Sequence, residues 1–354
     1  MNESGQVGVK PLAVHAGRLS RPGLRRVAIA GLATYVPPRV LSNFDLEKMV
    51  ETSDEWIQQR TGIRERHIVD PGVATSDLAK EAALKAIAQA GLEPADIDFI
   101  VVGTTTPDMM FPSTACLLQH KIGATRAWGF DLGAACSGFT YALTTAAQMV
   151  SAGGSKHALV IGADVMSSII DYTDRTTCVL FGDGAGAAVV EASDDDNIGI
   201  IDFENYVDGS GGDALCMPGG GSLRPASRET VDQRLHYVKQ DGATVFKFAV
   251  RNTEEAASRI LERNGVKPCE IDLFVSHQAN RRIIMSATGK LGIPPEKVVI
   301  NIERFGNTTA GTIPLALNDA VEQKRLKQGD LLLLASVGAG FTVGTVLMRW
   351  GLKQ

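Results

Sequence analysis

Residues 91–102 read GLEPADIDFIVV and residues 265–276 read GVKPCEIDLFVS, 174 positions further along the chain. The two stretches share Gly, Pro, Ile, Asp and Val at equivalent positions, and an amphipathic helical pattern precedes each of them. The same offset places Ala142-Leu143 on Ala316-Leu317, and a similar offset aligns HALVIG (157–162) with DLLLLA (330–335). Agreement of three segments indicates an internal duplication. We therefore expect two similar halves, residues 27–200 and 201–354.

The apolar residues alternate between strand-like and helix-like patterns. The predicted strands are Val27–Leu32, Asp98–Gly103 and His157–Gly162, and the predicted helices are Asp77–Ala90 and Cys136–Val150. This alternation predicts an α/β fold with a mostly parallel sheet covered by helices. Duplicated α/β halves commonly hold a site at their junction, near strand ends and helix N-termini.

The composition argues against several classes of protein. The 354 residues carry a formal net charge of −5, which disfavours a nucleic-acid binder that works by whole-chain attraction to phosphate. No apolar run approaches the ~18–20 residues of a membrane span, so no membrane contact is predicted. The five cysteines include no C-x-x-C pair, so neither a zinc site nor a disulfide framework is predicted. We expect a cytoplasmic protein.

Residues 1–26 are set apart by their composition. They are rich in Lys and Arg, contain a single acid, Glu3, and lack an apolar segment. They do not resemble a secretory signal, and we expect a disordered leader. An Arg-rich, acid-poor composition is also typical of an organellar transit peptide.

Three residues stand in contexts that suit catalysis. Cys136 follows small residues in GAACSGF (133–139) and precedes a helical pattern. At a helix N-terminus the dipole and the free backbone N–H groups lower the pKa of a thiol. His277 directly follows the apolar stretch IDLFVS (271–276), and Asn307 lies in the Gly- and Thr-rich stretch RFGNTTAGT (304–312). Each residue also has a structural interpretation when it is taken singly. Cys136 could be a buried inert cysteine, His277 a core histidine and Asn307 a helix cap.

Taken together, Cys136, His277 and Asn307 suggest an activated thiolate with two hydrogen-bond donors. Papain-like peptidases use Cys, His and Asn in this chain order, but their C-G-[SA]-C-[WY] signature is absent and a duplicated α/β architecture does not suit them. Thioester condensation uses the same set of residues and is favoured. A binding or scaffold subunit without activity is the non-enzymatic alternative.

Residues 26–350 resemble the β-ketoacyl-acyl-carrier-protein synthase III family of thiolase-fold condensing enzymes. The motifs that carry the resemblance are TSDEWI (52–57), RTGIRER (60–66), DLGAACSGF (131–139), FGDGAGA (181–187), HQAN (277–280) and GNT (306–308). The resemblance implies a five-layered α-β-α-β-α fold of two similar halves. It also implies an acyltransferase that starts fatty-acid synthesis by decarboxylative condensation of a short acyl-CoA, such as acetyl-CoA, with malonyl-acyl-carrier protein. The alternative is a condensing enzyme of secondary metabolism that uses malonyl-CoA or another acceptor.

By this resemblance the catalytic set is Cys136, His277 and Asn307. Cys136 would take the acyl group as a thioester while the backbone N–H groups of Cys136 and Ala339 hold the negative oxygen. After decarboxylation of the malonyl group, His277 and Asn307 would donate hydrogen bonds to the enolate oxygen. Coenzyme A enters as part of the substrate, and the resemblance implies neither a separate cofactor nor a metal.

The resemblance also assigns the ligand contacts. Coenzyme A is expected to contact Trp56, Arg60, Arg175, Phe246 and Asn280. Phe111, supplied by the neighbouring subunit of a homodimer, is expected to close the acyl pocket and to favour a short acyl group. The acidic carrier protein is expected to dock on Lys247, Arg281, Arg282 and Lys290.

The sequence departs from the family pattern at three places. Gly338-Ala-Gly-Phe341 stands where G-G-G-F is frequent, Gln240 replaces an apolar tunnel-edge residue, and Gly289 stands where a docking Lys is frequent. These departures bear on the choice of acyl group and on carrier affinity.

One glycine-rich motif resembles a dinucleotide-binding fingerprint without its structural context. GDGAGA (182–187) fits a loose dinucleotide fingerprint, but the β-like AVVE that follows it (188–191) lacks the required helix. No nicotinamide site is therefore predicted.

Overall fold

The structure is a computed structural model that describes residues 24–352. Its strands are β1 (Val27–Tyr35), β2 (Val40–Ser42), β3 (Glu65–His67), β4 (Phe99–Gly103), β5 (Trp128–Leu132), β6 (His157–Asp164), β7 (Gly184–Ala192), β8 (Gly199–Val207), β9 (Leu215–Cys216), β10 (Lys239–Gln240), β11 (Leu273–Ser276), β12 (Leu331–Gly338) and β13 (Thr342–Arg349). Its α-helices are α1 (Asn43–Leu46), α2 (Asp54–Thr61), α3 (Thr75–Gln89), α4 (Thr114–Ile122), α5 (Gly138–Ser151), α6 (Arg228–Asp232), α7 (Gly242–Arg263), α8 (Arg281–Leu291), α9 (Ile302–Phe305) and α10 (Thr312–Glu322).

Two larger sheets form the framework, and their strands correspond through the duplication. The first sheet has the order β1-β7-β6-β4-β5, and the second has the order β8-β13-β12-β11. The first four strands of one sheet match the four strands of the other in the same order. β5 is an additional edge strand of the first half. The predicted boundary at residues 200 and 201 falls inside β8, near the start of the second sheet.

The two halves repeat in local detail. An offset of 174 positions carries β6 onto β12, and the 3₁₀ turn Ala135–Ser137 onto the 3₁₀ turn Thr309–Gly311. The alignment of HALVIG with residues 330–335 is wrong by one residue, because β12 begins at Leu331. An unusual backbone conformation also repeats, since φ is 47° at Ala135 and 50° at Thr309.

The helices form three layers around the two sheets. α5 and α10 lie between the sheets, where Phe139, Leu143, Ile313 and Leu317 join the central apolar core. α3 and α4 cover the outer face of the first sheet, and α7 and α8 cover the outer face of the second. Because helices cover both faces, β4 and β6 are buried at every position. This arrangement confirms the predicted five-layered α-β-α-β-α fold.

The sheets are mixed, which corrects the prediction of a mostly parallel sheet. β4 is parallel to β5 and β6, and β11 is parallel to β12, whereas β7 and β13 are antiparallel to both of their neighbours. A parallel partner requires a crossover, usually through a helix. Residues 165–183 and 339–341, which precede β7 and β13, contain no α-helix, and these strands therefore return antiparallel. The motif GDGAGA leads into β7, as the strand-like reading predicted.

The first described residues are already bonded to the first half. The backbone carbonyl groups of Arg25 and Arg26 accept hydrogen bonds from Ser151 Oγ at 2.7 Å and from Ser193 N at 2.8 Å. These two residues therefore belong to the folded part, although the sequence assigned them to the leader. Leu24 is also described, and the remainder of the predicted leader, residues 1–23, lies outside the described residues.

Two features are absent from residues 24–352. No helix in this range combines the length and the apolar character needed to cross a membrane. Within the same residues, no group of three or more His, Cys, Asp or Glu side chains is arranged to hold a metal ion.

Candidate active site

A cavity of about 470 Å³ lies between the two halves of the chain. Its lining includes Cys136 from the first half and His277 and Asn307 from the second, and each of the three is at most 6% exposed. Other parts of the lining, such as Arg60 and Lys247, are exposed. The cavity therefore runs from the surface to the buried junction, and the three predicted side chains share it.

Cys136 is the middle residue of the 3₁₀ turn that leads into α5. Ala135 has a positive φ, which few non-glycine residues adopt, and this conformation turns the chain sharply before the cysteine. The turn lies close to the second half, since a Cβ added to Gly138 would stand 3.1 Å from Ala310 Cβ and 3.2 Å from Gly103 Cα. Gly138 therefore permits the turn to approach Ala310 of the second half closely.

His277 is held by the backbone of its own sheet and by the first residue of α10. Its N–H donates to the carbonyl oxygen of Ala335 at 2.8 Å, and its ring Nδ1 lies 2.6 Å from Thr312 Oγ1. Because Nδ1 is engaged there, Nε2 is the ring nitrogen that remains for the cavity. Sequence analysis did not identify Thr312, because a Thr ahead of an apolar helix has the pattern of an ordinary capping residue.

Asn307 connects the second half to the segment that precedes β7. Its N–H donates to Leu180 O at 2.9 Å, and its backbone carbonyl accepts from Gly182 N at 3.0 Å. Its side-chain Oδ1 accepts from Thr309 N at 2.9 Å. The side chain does not cap α10, which begins at Thr312. Because Oδ1 is occupied, the donor group Nδ2 is what the Asn307 side chain can offer to a ligand in the cavity.

Burial sets the protonation state of both titratable groups in the site. It raises the pKa of the Cys136 thiol to about 12; the Asp164 carboxylate adds to this rise, and the backbone N–H groups of Cys136 and Ala339 oppose it. The expectation that the helix N-terminus lowers this pKa is therefore wrong, because loss of water around the sulfur outweighs the backbone donors. Burial also lowers the pKa of His277 to about 3. Both groups are neutral near pH 7.

The backbone N–H groups of Cys136 and Ala339 approach the Cys136 sulfur from the two halves of the chain. Ala339 follows Gly338, and a Cβ added to Gly338 would stand only 2.7 Å from Cys136 N. Thr342 Oγ1 also holds this contact, because it donates to Ala134 O at 2.8 Å. Two N–H groups next to one sulfur form an arrangement that can stabilise the negative oxygen of an acyl group attached there.

Four of the five predicted coenzyme A contacts line the cavity, namely Trp56, Arg60, Phe246 and Asn280. Arg175 is exposed and lies outside the lining, but its guanidinium carbon stands 5.0 Å from the centre of the Trp56 ring. Asn280 Nδ2 donates to the backbone carbonyl of Arg60 at 3.0 Å. An aromatic face with a guanidinium beside it is a suitable surface for stacking a nucleobase.

Phe111 lies outside the cavity of its own chain. Its side chain is 83% exposed, and that of the preceding Met110 is 80% exposed. A single chain therefore does not bring Phe111 to Cys136.

The predicted docking residues are on α7 and α8. Lys247 and Arg282 line the cavity, and the Arg282 guanidinium lies 5.4 Å from the centre of the Phe246 ring. Arg281 and Lys290 are exposed on α8 but do not line the cavity. The structure thus places two of the four cations in the lining of the cavity, and the other two are exposed on α8 outside that lining.

Asp164, at the end of β6, is a second residue that sequence analysis missed. Its fully buried carboxylate accepts hydrogen bonds at 2.9 Å from the hydroxyl groups of Thr104 and Thr106, and another from the hydroxyl of Thr309. It thereby joins the first half to the turn that follows Asn307. No local pattern marks it, because its partners are distant in sequence.

The chain is similar to proteins of one family along most of its length. The family model described as 3-oxoacyl-[acyl-carrier-protein (ACP)] synthase III matches residues 130–209, and the corresponding C-terminal model matches residues 261–350. A β-ketoacyl-[acyl-carrier-protein] synthase III of Koribacter versatilis is 58% identical over 328 residues, which cover 92% of this chain and 98% of the relative. The protein with that name in Solibacter usitatus is 61% identical over 327 residues, which cover 92% and 99%.

Solved structures show the same likeness. The crystal structure of 3-oxoacyl-[acyl-carrier-protein] synthase III from Aquifex aeolicus matches with a TM-score of 0.85 and 45% identity, covering 92% of this chain and 100% of the other. The corresponding structure from Pseudomonas aeruginosa matches with a TM-score of 0.85 and 39% identity, covering 92% and 99%.

Proposed function

Because the chain belongs to the 3-oxoacyl-[acyl-carrier-protein] synthase III family, we infer that it is the acyltransferase that starts fatty-acid synthesis. It condenses an acyl-CoA with malonyl-acyl-carrier protein and releases CO₂ and a 3-oxoacyl-acyl-carrier protein. The roles of individual residues rest on one observation. Cys136, His277 and Asn307 line a single cavity, and backbone donors from both halves approach the sulfur.

In the first half-reaction, Cys136 Sγ attacks the thioester carbon of acyl-CoA. A bond forms between Sγ and the acyl carbon, the bond to the sulfur of coenzyme A breaks, and the thiol proton ends on that departing sulfur. The backbone N–H groups of Cys136 and Ala339 stabilise the negative oxygen that forms in between. Because burial raises the pKa of the thiol, the neutral thiol is the form that meets the substrate, and it gives up its proton as Sγ bonds to the acyl carbon.

In the second half-reaction, the malonyl thioester loses CO₂ and its electron pair becomes an enolate. His277 Nε2 and Asn307 Nδ2 donate hydrogen bonds to the enolate oxygen. Donation suits both groups, because an amide cannot remove a proton and burial, by lowering the pKa of His277, makes its imidazole a weak base. The enolate carbon then bonds to the acyl carbon, the bond to Cys136 Sγ breaks, and the sulfur regains a proton from solvent. These steps balance without a further cofactor or metal, so dialysis against a chelator should leave the rate unchanged.

The nucleophile is tested by transfer of radiolabel from acetyl-CoA to the protein. We expect one label per chain in the wild type and none in Cys136→Ser. Cys116→Ser is the matched control, because Cys116 is exposed and does not line the cavity, and it should take up label like the wild type. Labelling of Cys136→Ser at the wild-type level would exclude Cys136 as the nucleophile.

The acceptor is proposed to be the acyl-carrier protein, docked on the cations of α7 and α8. Lys247 and Arg282 line the cavity, and Arg281 and Lys290 are exposed on α8. Attraction between exposed charges is screened by salt. Added salt should therefore raise the KM for malonyl-acyl-carrier protein. Equal turnover of the two substrates would favour a condensing enzyme of secondary metabolism.

The working unit is proposed to be a homodimer in which the partner subunit supplies Phe111 to the acyl pocket. Met110 and Phe111 are consecutive, highly exposed apolar residues. β5 is the last strand of its sheet, and it exposes 50% of Trp128 and 36% of Phe130. A sheet edge with exposed aromatic rings favours pairing with a second copy. Sedimentation equilibrium should give twice the chain mass, and a monomer that is active would contradict the proposal.

The acyl substrate is proposed to be short, with acetyl-CoA preferred. A bulky ring such as Phe111 at the end of the pocket leaves little room for a long chain. Steady-state rates over a ladder of acyl-CoA lengths test this, and Phe111→Ala should shift the preference to longer chains. The substrates are those of cytoplasmic fatty-acid synthesis, where we place the protein. Cell fractionation tests that location.

A further inference from the structure

The hydroxyl group of Thr312 is the single hydrogen-bond partner of the His277 ring among residues 24–352. Thr312 is the first residue of α10, and its Oγ1 lies 2.6 Å from His277 Nδ1 and 3.1 Å from the carbonyl oxygen of Thr309. The Thr309 carbonyl also accepts the backbone N–H of Thr312. One hydroxyl therefore lies between a nitrogen that has no other partner and a carbonyl that already has one.

A count of protons leaves two arrangements of this group. A threonine hydroxyl has one proton, and a neutral imidazole carries one proton on one of its two nitrogens. If the Thr312 hydroxyl donates to the Thr309 carbonyl, Nδ1 must carry the ring proton and Nε2 presents a lone pair to the cavity. If the hydroxyl donates to Nδ1, the ring proton is on Nε2 and points into the cavity.

The chemistry of the site selects the second arrangement, because only a proton on Nε2 can be donated to an oxygen in the cavity. The contact of 2.6 Å between Nδ1 and Oγ1 is a hydrogen bond in either arrangement, and the contact of 3.1 Å from Oγ1 to Thr309 O is the longer one. The Thr309 carbonyl loses little in this arrangement, because the N–H of Thr312 still satisfies it.

We propose that Thr312 is a positioning residue that holds His277 in the tautomer with the proton on Nε2, as condensation requires. The proposal rests on the proposed function for its consequence, since only a donor at Nε2 stabilises the enolate oxygen. The other tautomer would place a lone pair against that negative oxygen. Acyl transfer to Cys136 uses backbone N–H groups for its oxyanion and does not depend on this tautomer. The two half-reactions should therefore respond differently to loss of the hydroxyl.

The tautomer is measured directly by ¹⁵N NMR of the full chain labelled at histidine. The ring signals of His277 are assigned by their absence from the His277→Gln spectrum. We expect the wild type at neutral pH to carry its ring proton on Nε2. A proton on Nδ1 in the wild type overturns the proposal, whatever the activity measurements show. Because this reading does not depend on turnover, it stands apart from any failure of the proposed function.

The kinetic test compares Thr312→Val, which keeps the shape and removes the hydroxyl, with Thr312→Ser, which keeps the hydroxyl. Single-turnover acylation by acetyl-CoA and condensation of the acylated enzyme with malonyl-acyl-carrier protein are followed separately. In Thr312→Val we expect acylation within twofold of the wild type and condensation slower by about 10-fold to 100-fold, which is less than the ~10²–10³ for outright loss of an oxyanion donor because the imidazole itself is kept. Thr312→Ser should restore condensation.

Three outcomes overturn the proposal: condensation by Thr312→Val within twofold of the wild type, an equal loss of both half-reactions in that variant, or failure of Thr312→Ser to condense. If Thr312→Val does not fold, the proposal is tested by the wild-type NMR spectrum and by the condensation rate of Thr312→Ser. Absence of condensation in the wild type would contradict the proposed function and leave the measured tautomer to decide this proposal.

Discussion

Replacing Gly338 by Ala should damage acyl transfer, because the added methyl group has no room beside the Cys136 turn. A Cβ at this position would stand 2.7 Å from Cys136 N, 2.7 Å from Thr342 Oγ1 and 3.0 Å from Ala134 O. Two of these separations are shorter than the 3.0 Å below which a neighbouring atom must shift. Both neighbours are fixed, since Cys136 lies in a buried turn and Thr342 Oγ1 is bonded to Ala134 O.

The expected losses of stability and of acyl-transfer rate in Gly338→Ala depend on which groups the added methyl displaces. Forcing one extra carbon into a packed region typically costs about 1–3 kcal/mol in the free energy of unfolding. The displaced groups include the N–H of Cys136, which is one of the two backbone donors, and the strand end at position 338, which directly precedes the other donor, the N–H of Ala339. Misplacing one such donor lowers the rate by about 10²–10³. We therefore expect acyl transfer to slow by up to this factor while the protein stays folded.

The assay is single-turnover labelling by radioactive acetyl-CoA, run together with urea unfolding. Gly289→Ala is the matched control, because Gly289 lies within α8 and an added Cβ would meet no atom within 4 Å. It should acylate normally and gain about 0.5–1 kcal/mol of stability, since Ala favours a helix more than Gly does. Wild-type stability and acylation in Gly338→Ala would refute the close contact between this strand end and the Cys136 turn.

Two further predictions follow from burial in the cavity. With a thiol pKa of about 12, roughly one Cys136 in 10⁵ is ionised at pH 7, so its alkylation by iodoacetamide in the ligand-free protein should rise tenfold per pH unit from pH 6 to 10. Mass spectrometry of the Cys136 peptide measures this, with the exposed Cys116 peptide as the reagent control, and a plateau below pH 9 would show that the pKa is not raised. The pKa of His277 falls from 6.5 to about 3 on folding, so the unfolded chain takes up this proton first as the pH drops. The contribution of His277 to the free energy of unfolding is therefore complete above pH 6.5 and is lost progressively towards pH 3. Relative to His277→Gln, the wild type should lose about 2 kcal/mol of stability between pH 7 and pH 5, as measured by urea unfolding. An equal pH dependence of the two proteins would contradict a buried neutral imidazole.

Much of the fold was predictable because the duplicated helices and strands each have a short, local sequence pattern. The apolar periods that mark β4, β6, α3 and α5 depend on neighbours a few positions away, so they can be read along the chain. Each catalytic candidate stands at or near the start or end of such an element, and these ends meet at the junction of the halves. The convergence of Cys136, His277 and Asn307 in one cavity therefore agrees with what their positions led us to expect.

The errors arose where the answer depended on chain connections. The sheets are mixed because the segments before β7 and β13 contain no α-helix to act as a crossover, which periodicity within the strands does not reveal. The edge of the leader was misplaced because Arg25 and Arg26 are bonded to Ser151 and Ser193 rather than to near neighbours. Phe111 illustrates a third limit, since its predicted role requires a second copy of the chain.

By itself the sequence determined the period of the duplication, the order of the elements and the set of reactive residue types. Only the tertiary structure decided the state of those residues. The helix terminus that favours a thiolate is a local feature, but the dehydration that outweighs it comes from the packing of both halves around Cys136. The partner of His277 is likewise 35 positions away, at Thr312, and the contact that limits position 338 joins residues about 200 positions apart. Free energies of ionisation and of close packing depend on everything within a few ångströms, and the folded chain alone brings those atoms together.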